Sequence, residues 1–585
     1  MSFIQNLFAR WANTDAIDSP PTLDVEVDKK YQLSAEQAPP HEQAPPLLEE
    51  SLWTYGVKGS DCYTEEAVGS PLLTLFTQLV RSVDCSVAVR KALEDNLVDT
   101  VVLAFQTRDI RGGKGERELF RSMMKTILRT YPNLADKLVP LIPEYGRWDD
   151  VWALLGGSLP CSAEVARAID NTVLTQFQLD QESAHPSLLV KWLPREGCKG
   201  SKGSELATHF ANLLFPLTSP ENGQRLRVYR KTLANLNRIL ETAEVKMCGK
   251  QWATITPSAV PGQLMKRNKH SFFNKKAVRS GRRAVKYVDG PPIQDRLVCA
   301  ENFRRFVEDV KSGKCVVNGG QTTMPNEHVK SILQSPFDTE LDSIIQGQWD
   351  AIRQETLKSG GLGKAVFLCD FSGSMDGVPK EVSLALGILG SEIAAPAFKD
   401  HILTFDSTPK WHSFVGLNGL REKIESVGFL GQGTSTNFQA ACELVLKRLI
   451  EHVVTPADAP THLIVITDMG FDAASGGDYD YVYMKKTSNW QTHFQMIRES
   501  FHCHGYEPPI IVCWNVSASY KDAHATAHEV GVVQLSGWSP SVFKAIQTEG
   551  VKVKTPYEGL RKLLDAPRYD AVRVALTEWA HIKEA

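Results

Sequence analysis

Short apolar runs alternate with helical stretches throughout the chain after residue 360. The runs cover residues 365–369, 401–405, 463–467, 510–514 and 532–535, and helical spacing falls near 379–397, 436–453, 488–502 and 540–548. A short apolar run bounded by turns is typical of a strand buried on both faces. Such strands alternating with helices form a mostly parallel sheet with helices on both sides. We therefore predict a doubly wound, Rossmann-like α/β domain over residues 360–560, with its ligand at the carboxyl ends of the strands.

The preceding part, residues 51–355, is predicted to be a helical domain. Apolar side chains recur there at helical spacing, as in Leu72, Phe76 and Leu79, and turns with glycine or proline separate successive stretches. Successive helices joined by short turns favour stacked helical pairs, so we expect a HEAT-like solenoid or ring. A C-terminal helix is expected over residues 561–585.

Residues 1–50 differ in composition from the rest of the chain. Phe3, Leu7 and Trp11 share one face of a short helix, and a segment rich in proline and acidic residues follows. Such a composition cannot bury a core. We predict a disordered, acidic, proline-rich tail that begins with a short amphipathic helix.

Cysteine usage and hydropathy indicate the compartment. The chain has 11 cysteines and no CxxC pair, which argues against a secreted protein built on disulfides. We find neither a signal peptide nor the roughly 20-residue apolar run that spans a bilayer. We therefore expect a cytoplasmic protein without a membrane span. The net charge of −3 favours no partner, so any nucleic-acid surface must be local.

Three oxygen-rich segments follow strands or precede helices of the predicted α/β domain. Asp370, Ser372 and Ser374 follow the first strand, Asp468 follows the strand at 463–467, and Thr434 lies in a glycine-rich loop between them. Carboxylates and hydroxyls are ligands for a hard cation such as Mg²⁺, or another divalent cation. The segments offer no histidine, and their one cysteine lies within a strand, which disfavours zinc and copper. The alternative is an ordinary turn after a strand, since short Asp/Ser/Gly turns are common.

This constellation resembles the metal-ion-dependent adhesion site (MIDAS) of von Willebrand factor A domains. The resemblance implies that Ser372 and Ser374 ligate the ion directly and that Asp370 and Asp468 act largely through water. Thr434 would ligate according to conformational state, and the open position would receive an acidic group from a partner. This sequence departs from the family at Met469, where the family usually has glycine.

The two-part layout resembles the Ro autoantigen class, whose members pair a helical TROVE module with a von Willebrand A domain. The likeness extends over roughly residues 70–560 and is greatest to an uncharacterised Ro-like family. In the helical half it lies in residues 111–117, 145–150 and 229–261. The resemblance implies RNA binding by the helical module. In the second of these segments we expect Arg147 to pair with Asp149 or Asp150 and fix the local structure.

Two basic segments are candidate RNA-binding surfaces. A predicted basic loop at 264–288 interleaves cations with aromatic residues, a pattern that suits phosphates and unpaired bases. A glycine-rich turn at a predicted helix start adds two more cations beside free backbone N–H groups, which favour an anion. The alternatives are a solvated basic loop and a tight turn that needs its glycines. The candidates are Lys266, Arg267, Lys269, Lys275, Lys276, Arg279, Arg282 and Arg283 in the loop, and Arg111 and Lys114 in the turn.

The function expected from these features is non-enzymatic, cation-dependent binding. The helical module would bind RNA, and the cation site would capture an acidic partner group. One alternative is a protein–protein scaffold that binds no RNA. Another is a metal-dependent hydrolase or phosphotransferase, which needs a general base near the ion; Asp376, Asp406 and Asp472 are the candidates.

Overall fold

Helices form most of the first 300 described residues, as the apolar spacing predicts. The computed structural model describes residues 52–55, 61–156, 161–197, 201–280, 284–312, 314–315, 317, 323–334, 339–358, 363–405, 409–427, 438–470, 498, 500–545 and 553–584. The predicted N-terminal tail and its amphipathic helix lie outside these residues. Ser51–Ala585 forms one compact unit.

The helices of the first part are followed by those of the sheet region, and two more end the chain. In the first part they are α1 Glu65–Val68, α2 Pro71–Gln78, α3 Ser86–Asp95, α4 Leu97–Arg108, α5 Arg117–Thr130, α6 Ala135–Leu138, α7 Ile142–Tyr145, α8 Trp148–Trp152, α9 Ala163–Glu182, α10 Leu189–Trp192, α11 Ser201–Leu214, α12 Gln224–Leu240, α13 Ala243–Cys248, α14 Gly262–Phe272, α15 Gln294–Lys311, α16 Pro325–Leu333 and α17 Thr339–Lys358. They continue as α18 Val378–Ile393, α19 Leu420–Val427, α20 Phe438–Glu451, α21 Pro556–Leu564 and α22 Asp570–Glu584.

Each of the five apolar runs of the second part is a strand. The strands are β5 Ala365–Asp370, β6 His401–Phe405, β7 Trp411–Ser413, β8 His462–Thr467, β9 Ile510–Asn515 and β10 Val532–Ser536. They form one sheet in the order β10-β9-β8-β5-β6-β7. Only β7, which the sequence did not predict, pairs antiparallel. The order reverses between β5 and β8, and in doubly wound sheets this reversal opens a crevice for a ligand.

Both faces of the sheet are buried, which explains why its strands are continuously apolar. In β5, Phe367 and Cys369 point to one side and Val366 and Leu368 to the other, each pair into a different apolar cluster. The cluster around Phe367 extends into the helices of the first part, so the two regions share a core. The prediction of a helical region followed by an α/β sheet is confirmed.

Helix α18 crosses β5 at very close range because its contact face carries glycine. A Cβ atom at Gly390 would lie 2.1 Å from the Phe367 ring, and one at Gly387 would lie 2.3 Å from the Cys369 sulfur. Real side chains do not approach so closely, so α18 needs glycine at both positions to seat on the strand.

Two hairpins depart from the purely helical first part that the sequence predicts. β1 Trp53–Tyr55 pairs with β2 Asp61–Tyr63, and β3 Lys275–Ser280 pairs with β4 Ala284–Asp289. The second hairpin replaces most of the basic loop predicted at 264–288, whose first part belongs to α14. Valine and tyrosine, which are frequent in strands, recur in this segment, but its many charges obscured that signal.

The C-terminal segment packs on both the sheet and the helical region, since α21 contacts β10 as well as α4. Both α21 and α22 contact α4. Arg568, between these two helices, donates hydrogen bonds to the buried carboxylate of Asp109, with Nη2 3.0 Å from Oδ1. Asp109 follows α4 directly, so an ion pair joins two segments that are 459 residues apart.

Within the described part of the chain, we find no helix that is both long and apolar enough to cross a membrane.

Candidate functional site

Asp370 and Asp468 meet at the point where the strand order reverses. Asp370 is the last residue of β5, Asp468 directly follows β8, and these two strands are neighbours. Both carboxylates are fully buried. Both residues therefore lie at the carboxyl ends of adjacent parallel strands, at one edge of the sheet.

Hydrogen bonds hold the Asp370 carboxylate in a fixed orientation. Its Oδ1 accepts from the backbone N–H of Ser372 at 2.8 Å, and its Oδ2 accepts from the Thr467 hydroxyl at 2.9 Å. Burial raises its pKa to about 6, and the nearby charge of Asp468 acts in the same direction. Two buried carboxylates that repel each other in this way are a setting in which a cation would be stabilising.

One oxygen of the second carboxylate, that of Asp468, has no hydrogen-bond partner among the described residues. Oδ1 of Asp468 accepts from the backbone N–H of Gly470 at 3.0 Å. Oδ2 is buried and has no hydrogen-bond partner among the described residues. An unpaired buried carboxylate oxygen is costly, so a bound ion or water at this atom would be stabilising.

Met469 takes the left-handed backbone conformation, with a φ of 69°. Glycine adopts this region freely, whereas other L-residues incur a cost of roughly 1–2 kcal/mol. The departure from the adhesion-site pattern therefore falls at a position whose backbone favours glycine. The methionine keeps the turn and is itself buried.

The two serines lie on the turn that follows β5. The Ser372 and Ser374 hydroxyl oxygens are 3.2 Å apart, and Ser372 is buried. Two adjacent hydroxyls beside Asp370 supply oxygen donors of the type that Mg²⁺ accepts. The remaining predicted ligand, Thr434, lies outside the described residues.

Of the three candidate bases for the hydrolase alternative, Asp376 alone lies among the described residues. Asp376 has an exposed side chain, and its carboxylate lies 3.7 Å from the Lys380 ammonium. Asp406 and Asp472 lie outside the described residues.

Two of the three predicted RNA-binding cations of α14 are paired or buried within the protein. Lys266 pairs with Glu327 of α16 at 2.8 Å, and the Lys269 side chain is buried. Placing Lys269 on an RNA surface was therefore wrong, because helix α14 turns it inward. Arg267 is exposed.

On the hairpin, Lys276 is exposed and Lys275 is half-buried. The side chains of Arg279, Arg282 and Arg283 lie outside the described residues. The hairpin register places Lys276 across from Val288, and Val278 shares their face. Val278 and Val288 are both exposed, so this face is mixed in character rather than purely basic.

The glycine-rich turn at 111–115 already holds an anion from the protein itself. The Asp109 carboxylate accepts from the backbone N–H groups of Arg111 and Gly112 at 3.0 and 3.1 Å. These are the groups that the sequence offered to a phosphate, and a buried carboxylate occupies their acceptor position. A Cβ atom at Gly113 would lie 1.8 Å from the Gln106 carbonyl oxygen, so that glycine is required for backbone packing.

Lys114 lies inside the protein, and assigning it to RNA was wrong. Its ammonium donates to the carbonyl oxygens of Phe76 and Leu79 at 2.9 and 3.2 Å, and to the Ser536 hydroxyl at 2.5 Å. It therefore joins the end of α2 to the end of β10. Arg111 is exposed, with its guanidinium 4.0 Å from Glu144.

The segment at 145–150 has the structural role that its sequence predicts. Arg147 Nη2 donates to Asp149 Oδ2 at 3.0 Å, as expected. Asp150 is fully buried and accepts from Arg108 Nε at 2.7 Å and from Arg121 Nε at 2.8 Å. This carboxylate joins α4, α5 and α8 because it balances two guanidinium groups at once.

Comparison with known proteins shows similarity in both the helical region and the α/β region. Residues 364–565 match a family described as a domain of unknown function (DUF7788). The match begins at β5 and includes all five predicted cation ligands. Uncharacterized protein L728 of Acanthamoeba polyphaga mimivirus is 26% identical over 505 residues, which cover 82% of this chain and 82% of that protein. An alignment of that length extends beyond either region alone, so the relative is similar to both.

Proposed function

We propose that this protein is a non-enzymatic, cation-dependent binding protein whose α/β region holds one Mg²⁺ ion. The observation that carries the proposal is the buried Asp468 Oδ2 without a hydrogen-bond partner among the described residues. Asp370 is its buried neighbour, and Ser372 and Ser374 complete an oxygen-rich set at the same strand ends. A hard divalent cation satisfies the unpaired oxygen and removes the repulsion between the two carboxylates.

The same constellation favours capture of an acidic group. Two serine hydroxyls and two carboxylates, with Thr434 as the further ligand of the adhesion-type pattern, leave a position of the octahedron for water or for a partner's oxygen. The doubly wound strand order supports a von Willebrand A-like fold. In this proposal, an exposed Asp or Glu of a partner replaces a water on the ion.

Isothermal titration of the full chain with Mg²⁺ tests the site. Asp468→Asn keeps the shape of the side chain but removes its charge, so we expect Mg²⁺ affinity to fall at least about tenfold. Asp376→Asn is the matched control, because Asp376 is an exposed carboxylate on the same side of the sheet region. It should bind Mg²⁺ as the wild type does.

The thermal stability of the ion-free variant provides an independent readout. Removing one of two repelling buried carboxylates should leave the ion-free Asp468→Asn protein at least as heat-stable as the ion-free wild type. Mg²⁺ should raise the melting temperature of the wild type and of Asp376→Asn more than that of Asp468→Asn. Wild-type Mg²⁺ affinity in Asp468→Asn would remove this site from the function.

We also propose that the β3–β4 hairpin is the surface that binds RNA. Lys114 and Lys269 are internal, whereas Lys276 is exposed beside two exposed valines. A mixed basic and apolar face suits a single-stranded RNA, because phosphates meet cations while bases cover apolar surface. The Ro-like resemblance points to the same class of partner.

The hairpin is tested by anisotropy with a fluorescent single-stranded RNA of mixed sequence. Replacing Lys275, Lys276, Arg282 and Arg283 by Gln should weaken binding and flatten its dependence on salt. A control with four exposed cations elsewhere, Lys91, Arg305, Lys314 and Lys447, changed to Gln removes the same charge. Equal losses in both variants would mean non-specific attraction, and undiminished binding in the first would exclude the hairpin.

A further inference from the structure

A cysteine, a histidine and an aspartate from opposite ends of the chain converge beside the sheet. Cys62 belongs to β2, and Asp522 and His524 belong to the segment that follows β9. An antiparallel bridge joins Tyr63 to Ala523, with the Tyr63 N–H donating to the Ala523 carbonyl at 2.8 Å. This bridge holds two segments together that are about 460 residues apart in sequence.

The bridge register places the three side chains on one face. In an antiparallel pair Cys62 lies across from His524, since Tyr63 lies across from Ala523. Asp522 is two residues before His524 and so points to the same side of an extended chain. The possible ligand atoms of all three residues lie within 4.8 Å of one another. Cys62 and His524 are almost completely buried.

A carbonyl group fixes the tautomer of the histidine. His524 Nε2 lies 2.8 Å from the Met469 carbonyl oxygen, which can only accept, so Nε2 carries the hydrogen. Nδ1 therefore presents its lone pair, and it faces the Cys62 sulfur at 3.9 Å. Burial lowers the pKa of His524, which favours the neutral ligand form. A ring N–H bound to a backbone carbonyl is the usual support of a metal-binding histidine.

We propose that Cys62, Asp522 and His524 form a site for Zn²⁺, separate from the Mg²⁺ site. Tetrahedral Zn–N and Zn–S bonds place nitrogen and sulfur about 3.6 Å apart, close to the observed separation. Cys62 binds as the thiolate and releases its proton to solvent when the metal enters. A thiolate and an imidazole select a borderline-soft ion over Mg²⁺.

A cavity lies beside Asp522, one of the three proposed zinc ligands. Asp522, Tyr63 and Met469 belong to the lining of a cavity of about 110 Å³, together with Tyr520 and Lys521. A water molecule or a small ligand fits such a space. The zinc ion is thus held by three protein groups and keeps one exchangeable position, the arrangement of zinc sites that bind a further ligand.

The Met469 peptide group would connect the proposed Zn²⁺ site to the proposed Mg²⁺ site. His524 holds the carbonyl of Met469, which directly follows Asp468. Zinc binding fixes the His524 ring, and the ring fixes the strained turn that presents Asp468. Loss of zinc should therefore weaken Mg²⁺ binding, whereas loss of Mg²⁺ ligands should leave zinc in place.

Metal analysis of the full chain, purified without chelator, tests the proposal. We expect about one Zn²⁺ per wild-type chain and loss of most of it in Cys62→Ser and in His524→Gln. Cys85→Ser is the matched control, because Cys85 is also buried but its sulfur contacts only a serine hydroxyl, 4.0 Å away, among the side-chain hydrogen bonds described. Asp468→Asn should retain zinc, which separates this outcome from failure of the Mg²⁺ proposal.

Cobalt substitution gives a second readout that does not depend on a folded variant. Co²⁺ added to the metal-free wild type should show a thiolate charge-transfer band and tetrahedral ligand-field bands, both displaced by Zn²⁺. Absence of the charge-transfer band, or zinc content unchanged by Cys62→Ser, would overturn the site. In that case Cys62 and His524 are joined by an ordinary S–H···N hydrogen bond.

Discussion

The ion pair between Asp109 and Arg568 should carry most of the attachment of the C-terminal segment. Asp109 is fully buried, whereas the Arg568 side chain is 29% exposed. The carboxylate also accepts two backbone N–H groups and lies 3.3 Å from the Tyr569 hydroxyl. Asp109→Asn keeps the shape but removes the charge, and its amide group places a donor where every neighbour donates.

The expected magnitude follows from the burial of this pair. Breaking a buried, hydrogen-bonded ion pair by removing one partner costs about 3–5 kcal/mol. Glu144 provides the internal control, because its exposed carboxylate lies 3.7 Å from the same guanidinium. Surface pairs of this kind contribute about 0–1 kcal/mol. Glu144→Gln should therefore have little effect on the same helix junction.

Hydrogen exchange measured by mass spectrometry can locate the effect. If α22 opens from α4 before global unfolding, a loss of 3–5 kcal/mol accelerates exchange in α22 on the order of 10²–10⁴-fold. The sheet strands should keep their protection. Equal exchange rates in Asp109→Asn and Glu144→Gln would refute the reasoning. They would show that the buried ion pair stabilises the helix junction no more than the exposed pair does.

Two further predictions concern the sheet and its cation. Gly390→Ala should lower the free energy of unfolding by about 1–3 kcal/mol because its methyl group overlaps the Phe367 ring, and Phe367→Leu should recover part of that loss in urea titrations. Gly156→Ala, whose methyl group would meet no atom within 4 Å, should show no such coupling. Burial raises the pKa of Asp370 to about 6 from 3.8, so the ion-free folded protein retains a proton there that the unfolded chain releases between those values. The stability of the ion-free protein should therefore fall as pH rises from about 4 to 6, and Mg²⁺ affinity should rise up to about tenfold per pH unit over the same range. A flat pH profile in melting and titration experiments would contradict this assignment.

Five of the six strands of the sheet were predictable because each of the five is marked locally by an apolar run. A run such as 463–467 is apolar without alternation, and its turn residues come directly after it. The parallel order then places Asp370 and Asp468 at one edge, so the centre of the predicted cation site follows from topology alone. β7 has only three residues, too few for a recognisable pattern.

Two basic residues of the helical region, Lys114 and Lys269, were predicted to bind RNA but are buried. Burial of a charged side chain cannot be read directly from the sequence. Lys114 resembles a phosphate ligand in its glycine-rich context, yet it binds the carbonyl oxygens at the end of α2. The anion that the turn requires comes from Asp109, five residues earlier. An internal carboxylate followed by glycines is a signal that could have suggested this arrangement.

The cluster of Cys62, Asp522 and His524 was out of reach of spacing rules. Metal motifs are recognised when their ligands are close in sequence. Here 462 residues separate the cysteine from the histidine, and the bridge between Tyr63 and Ala523 brings them together. No local pattern records a pairing of that length.

The pairing of Asp109 with Arg568 also imposes an order on synthesis of the chain. The two residues are 459 positions apart, so at 5–20 residues per second a ribosome needs roughly 20–90 s to add the second after the first. During that interval α4 has been made, but α21 and α22, which pack against it, have not. The nascent helical region therefore exposes an unpaired Asp109 carboxylate and an apolar face during that interval. A chaperone that binds exposed apolar surface would act at this stage of synthesis.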